Sequence, residues 1–120
     1  MPKADCYDKE PMRYAFRTVK GLLVLPCREI ILFRFRDSAW QAMQTDRTIH
    51  TLCTHISADQ LLDIGTTFLQ IRRDCIINAD YLTFIENNSL RCVLSSPYRD
   101  IELFASRRYY ARIQQQLRVI

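Results

Sequence analysis

The sequence predicts a mainly β domain with small helices. Three observations carry that expectation. Apolar residues recur in short runs, several of them alternating with polar residues, which is the period of a half-buried strand. Gly, Pro, Asn, Asp and Ser punctuate these runs at close intervals, as strand-to-strand turns require. Helical spacing of apolar residues occurs in only two places, once mid-chain and once at the C-terminal end.

Each element follows in order. Residues 1–12 are polar, contain Pro2 and Pro11, and read as a loose lead-in to one domain over 13–120. Tyr14, Phe16 and Thr18 alternate with Ala15, Arg17 and Val19 as a first strand. Lys20-Gly21 turns the chain into Leu22–Leu25, closed by Pro26. Glu29–Phe35 reads as a third strand, with Ile31, Phe33 and Phe35 on one face and Arg34 and Arg36 on the other. After the break at Asp37-Ser38, Trp40–Gln44 and Thr48–Thr54 form an expected hairpin across Thr45-Asp46-Arg47. Ser57 can cap a short helix through Ala58, Leu61 and Leu62, with Gly65 as its stop. Phe68–Ile71 and Cys75–Ile77 are extended runs around a loop at Arg72-Arg73-Asp74, and Asn78-Ala79-Asp80 is a turn. Thr83–Glu86, Leu90–Leu94 and Ile101–Phe104 read as three more strands. Ser106 caps a closing helix whose apolar face is Tyr110, Ile113, Leu117 and Ile120.

Composition narrows the function classes. Only two glycines occur, which excludes the glycine-rich phosphate loops of nucleotide-binding enzymes. No apolar run is long enough to span a bilayer, the start is polar, and a cytoplasmic protein with no membrane partner is the expectation. The five cysteines, Cys6, Cys27, Cys53, Cys75 and Cys92, are odd in number and widely spaced, and are expected to be reduced. Net charge is +4, and 14 of the 17 basic residues are arginine. Arginine's planar fork suits phosphate and the guanine edge. From Leu103 to Ile120 there are four arginines and no acid, which points to a polyanionic partner.

Three constellations are candidate binding sites. Arg107 and Arg108 follow the Ser106 cap, where the helix dipole disfavours cations unless an anion is bound. Arg72 and Arg73 lie in the loop after Gln70-Ile71, with Asp74 able to pair with one of them. Arg34, Arg36, Ser38, Trp40 and Gln41 form the third group, in which Trp40 either lies against a sugar or base or, as burial habits favour, joins the core. Catalytic candidates are weak. His50, Cys53 and His55 cannot close on one metal from a regular strand, because His50 faces away from the other two, so neither catalytic residues, metal nor cofactor are expected. The chain is not expected to be an enzyme.

Three stretches resemble the LytTR family, the DNA-binding domain of LytR- and AlgR-like bacterial response regulators. They are Glu29-Ile30-Ile31-Leu32-Phe33, the block Phe68–Leu82 containing Gln70-Ile71-Arg72-Arg73-Asp74-Cys75-Ile76-Ile77-Asn78, and Leu103-Phe104-Ala105-Ser106-Arg107-Arg108-Tyr109-Tyr110. The resemblance runs from about Tyr14 to Leu117. It implies an elongated β-β-β arrangement of about ten short strands with small helices, and DNA reading by loops that enter successive major grooves. It also implies binding of double-stranded DNA with a second copy on a direct repeat. Carried residue by residue, the contact loops fall near Ala39, Trp40 and Gln41, on Arg72 and Arg73, and on Arg107 and Arg108. The second block departs from the family pattern at Gln70, Arg72 and Asp74, and an acid beside phosphates is repulsive. No receiver domain is expected ahead of this one, so the expectation is either a free-standing regulator or one whose input comes from elsewhere. The expected function is a sequence-specific transcriptional regulator. The alternative is a protein-interaction or signalling module on the same scaffold with weak or lost DNA binding.

Overall fold

A computed structural model describes residues 13–65 and 67–120. The expected lead-in over 1–12 lies outside the described residues. Among these residues nine strands and two α-helices follow one another: β1 (Arg13–Thr18), β2 (Gly21–Pro26), β3 (Ile30–Arg36), β4 (Ala39–Gln44), β5 (Ile49–Thr51), α1 (Ala58–Leu62), β6 (Phe68–Arg72), β7 (Cys75–Asn78), β8 (Leu82–Ile85), β9 (Cys92–Leu94) and α2 (Arg107–Gln116). They form three antiparallel sheets: a β1-β2 hairpin, a central sheet in the order β5-β4-β3-β7-β6, and a β8-β9 hairpin.

The central sheet is covered on both faces. On one side Ile30, Phe33, Trp40, Phe68 and Ile76 meet Phe16 and Leu25 of the first hairpin and Leu61 of α1. On the other, Ile31, Leu32, Leu69, Ile71 and Ile77 meet Cys92 and Leu94 of the last hairpin and Ile113 of α2. Strands buried on both faces read as continuous apolar runs, which is why Ile30–Phe33 and Cys75–Ile77 lack clean alternation. Full burial of each such side chain contributes about 1.5–3 kcal/mol.

Four local expectations need correction. Ile31 and Phe33 do not share a face: a bulge between Ile30 and Leu32 turns Ile31 and Leu32 together towards α2 and Phe33 towards α1. Helix α1 ends at Leu62 with Asp63 as its right-handed C-cap, before Gly65 is reached. Ile101–Phe104 is no strand, because only Phe104 makes a ladder contact, a single bridge to Arg91. Helix α2 stops at Gln116 with Leu117 already extended, so its buried face is Ile113 with Tyr110 half-buried, and Ile120 is exposed.

One buried polar side chain ties the layers. Asn78 ends β7 with no exposed surface. Its Nδ2 donates to the carbonyls of Ile30 (2.9 Å) and Cys27 (3.2 Å), and its Oδ1 accepts from the Asp80 amide (3.0 Å). Those bonds hold the entry to β3 against the exit of β7, two strands whose other ends carry hairpin tips.

Candidate nucleic-acid interface

Two hairpin tips and one helix start meet at one end of the central sheet. The β3-β4 connection is a two-residue turn in which Asp37 and Ser38 both adopt left-handed backbone (φ 53° and 66°). That pairing of positive φ values matches the twist of a tight hairpin, and Asp tolerates it. The β6-β7 connection is Arg73-Asp74, with Arg72 opposite Cys75 and a bulge between Gln70 and Arg72. The Gln70 side-chain amide donates to the Arg73 carbonyl (3.2 Å) and braces this turn. Ser106 caps α2 by accepting from the Tyr109 amide (3.2 Å).

Backbone hydrogen bonds set these three elements side by side. The Phe35 amide donates to the Asp74 carbonyl (2.9 Å), and the Ser106 amide donates to the Ile71 carbonyl (2.9 Å). Two shallow grooves result. Arg34, Arg36 and Arg72 line one together with Phe104 and Glu102. Arg72, Arg73 and Asp74 share the other with Ser106 and Tyr109.

The arginines differ in how free they are. Arg36, Arg73, Arg107 and Arg108 are exposed and make no ion pair among the described residues. Arg72 does, as its turn chemistry suggested: Nε lies 3.6 Å from Asp74 Oδ1, with both side chains about half exposed (50% and 58%). A surface pair of that kind contributes about 0–1 kcal/mol. It lowers the local positive field without occupying the guanidinium fully. The first turn of α2 carries no acid, so its free amides and both arginines present one sign of charge. Arg112 lies over the Tyr109 ring (4.9 Å to the centroid) and adds a further cation beside the groove.

Trp40 is not on this surface. It is 4% exposed and belongs to the inner cluster with Phe16, Phe33 and Ala42, so its ring has no face to offer a nucleic acid. Gln41 is half-buried on β4, opposite Arg34. The exposed aromatic at the first tip is Phe35 (41%), edge-on to Trp40 at 5.4 Å between centroids. The alternation that set Phe35 on one face with Ile31 and Phe33 concealed it. Its flanking arginines, Arg34 and Arg36, were the available signal.

Residues 20–118 match the family model of the LytTr DNA-binding domain. The chain belongs to this family. The family is one of DNA-binding domains, and DNA is its class of partner. Among solved structures, it is similar to a chain described as the LytTr DNA-binding domain of a methyl-accepting/DNA response regulator from Bacillus cereus. That match has a TM-score of 0.67 at 16% identity, over 92% of this chain and 100% of the other. The fold is thus that of a LytTR domain, with its three sheets in sequence. None of the curated proteins matches in sequence.

Among the described residues no group of three His, Cys, Asp or Glu side chains is arranged to hold a metal. His50 Nε2 lies 3.0 Å from Gln44 Oε1 and is held there. The described cysteines are free thiols, and burial pushes Cys75 up to about 12 and Cys92 up to about 11, so both stay protonated and inert. No helix among the described residues is long and apolar enough to cross a membrane.

Proposed function

We propose that this LytTR domain binds duplex DNA sequence-specifically, reading the major groove through loops in the service of transcriptional control. The observation that supports the reading is the row of three tips joined by the Phe35–Asp74 and Ile71–Ser106 backbone bonds, with Arg36, Arg72 and Arg73 at one end of the sheet and the exposed Arg108 two residues past Ser106. Arginine forks grip phosphates or the guanine edge. Arg108, at the second residue of α2, is the base-reading candidate. Arg73, exposed at a turn tip, and Arg107 suit phosphate. Phe35 offers an apolar contact to a thymine methyl, and Trp40 and Gln41 act behind it by holding the first tip.

Selection of duplexes from a random pool tests the reading. A common site is expected, with affinity falling steeply in salt. If about four arginines each neutralise one phosphate, the slope of log K against log salt is about −3 to −4. Arg108→Ala is expected to cost about 1–3 kcal/mol on the selected site and relax one base position. A salt-independent interaction with no preferred duplex would refute it. The Asp74–Arg72 pair and Glu102 in the neighbouring groove favour a second reading, a protein-docking surface with weakened DNA affinity. The same salt titration separates the two.

A further inference from the structure

The row of tips does not end at α2. The Ala105 amide donates to the Leu90 carbonyl (2.9 Å), which brings the β8-β9 turn, Asn87-Asn88-Ser89, alongside the start of the helix. Asn87 and Asn88 share a groove with Arg107, Tyr110 and Gln114. Asn88 stands at the turn in left-handed backbone (φ 70°). Both asparagines are exposed, and neither side-chain amide hydrogen-bonds within the protein among the described residues. Glu86, the acid next to them in sequence, is engaged by the Ser89 hydroxyl (3.0 Å).

We propose that the Asn87-Asn88-Ser89 turn is a fourth DNA contact, in which the asparagine amides donate to the phosphate backbone beside the groove entered by the arginine tips. The proposal rests on the DNA-face reading above. Its choice of phosphate over base follows from width. Hydrogen-bonded neighbours lie about 4.8 Å apart, and four such steps lead from β3 through β7, β6 and the Ala105-Ser106 segment to Leu90, about 19 Å in all. A B-form major groove is about 12 Å wide, so a row of that span overhangs it. The end of the row therefore meets the flanking sugar-phosphate strand, where asparagine amides are common partners.

The test uses the whole chain and a duplex selected by the unmodified protein. Asn87→Ala with Asn88→Gly removes both amides while respecting the positive φ, which glycine accepts. Affinity is expected to fall about three- to tenfold, equally on the selected site and on its single-base variants, with an unchanged melting temperature. Asn88→Asp sets a carboxylate against phosphate and is expected to weaken binding more at low salt than at high salt. Arg73→Ala is run beside them. If Arg73→Ala weakens binding but the double variant stays within twofold, the fourth contact is refuted while the DNA face stands. A double variant that shifts base preference at one position refutes the phosphate assignment. Loss of effect in all variants refutes both.

Discussion

Replacing Asn78 with aspartate changes one atom in a closed site, so its cost can be worked out. The Asn78 amide nitrogen faces two carbonyl oxygens, at 2.9 and 3.2 Å. A carboxylate there would set negative charge against both, with no solvent to screen it, since the residue is fully buried. The new carboxyl must stay protonated to donate to the Ile30 carbonyl, and buried carboxyls are raised by about 3–5 above their ordinary value. Each unit is worth about 1.4 kcal/mol, so keeping the carboxyl protonated costs about 4 kcal/mol at pH 7, and with the lost second donor Asn78→Asp costs about 5 kcal/mol in all. The sign is fixed by linkage. A folded-state value raised above the unfolded one makes the stability fully present below the unfolded value, near pH 4, and lost as pH rises. The cost should therefore shrink by about 1.4 kcal/mol per pH unit on going from pH 7 towards pH 4, leaving about 1 kcal/mol for the lost second donor. Asn78→Ala has no such titration and serves as the control. Urea unfolding of both variants and the unmodified chain at several pH values measures this. A penalty for Asn78→Asp that is equal at pH 5 and pH 7 would refute the reasoning.

Other outcomes follow from the same structure. Ser106→Ala removes the acceptor for the Tyr109 amide and should cost about 1 kcal/mol in thermal unfolding; it should also weaken DNA binding by loosening the helix start. Phe33→Ala empties a fully buried site between Phe16 and Phe68, at ring separations of 5.8 and 5.5 Å, and should cost about 3–5 kcal/mol by urea unfolding. At pH 8, a disulfide reagent should leave Cys75 and Cys92 unmodified in the native protein and reach them only after denaturation, because burial holds both thiols far above their ordinary range. Arg47 pairs with Asp100 at 2.6 Å and holds that carboxyl down to about 2. The pair's contribution is thus present above the ordinary carboxylate range and lost as pH falls through about 2. Asp100→Asn should remove that acid dependence and change melting at pH 7 little, since the pair is exposed.

Much of the fold was legible because its turns and caps are encoded by neighbours in sequence. Asp37-Ser38, Thr45-Asp46-Arg47 and Arg73-Asp74 all make connections between strands. Ser57 forms a capping box with Gln60, and Ser106 caps α2. What failed was alternation at β3, where a bulge redirects Ile31, and the extended reading of Ile101–Phe104, whose neighbours leave it one bridge. The candidate site was legible in part. Arg72, Arg73, Arg107 and Arg108 could be named from local charge and a resembling pattern, but Trp40 could not be separated from Phe35, because both are aromatic residues beside the same turn. Only the tertiary packing that draws Trp40 into the cluster with Phe16 and Phe33 buries one and leaves the other exposed.

The sequence by itself determined the mainly β class, both helix caps, most turns and the surplus of arginine near the C-terminal end. Those properties depend on backbone preferences and side-chain chemistry over a few residues. The tertiary structure alone decided which distant segments stand together: Phe35 beside Asp74, Ile71 beside Ser106, Leu90 beside Ala105. Hydrogen bonds between backbone groups carry no side-chain signature, so the juxtaposition that gathers the arginines and the two asparagines into one row is set by how the three sheets bury their apolar faces.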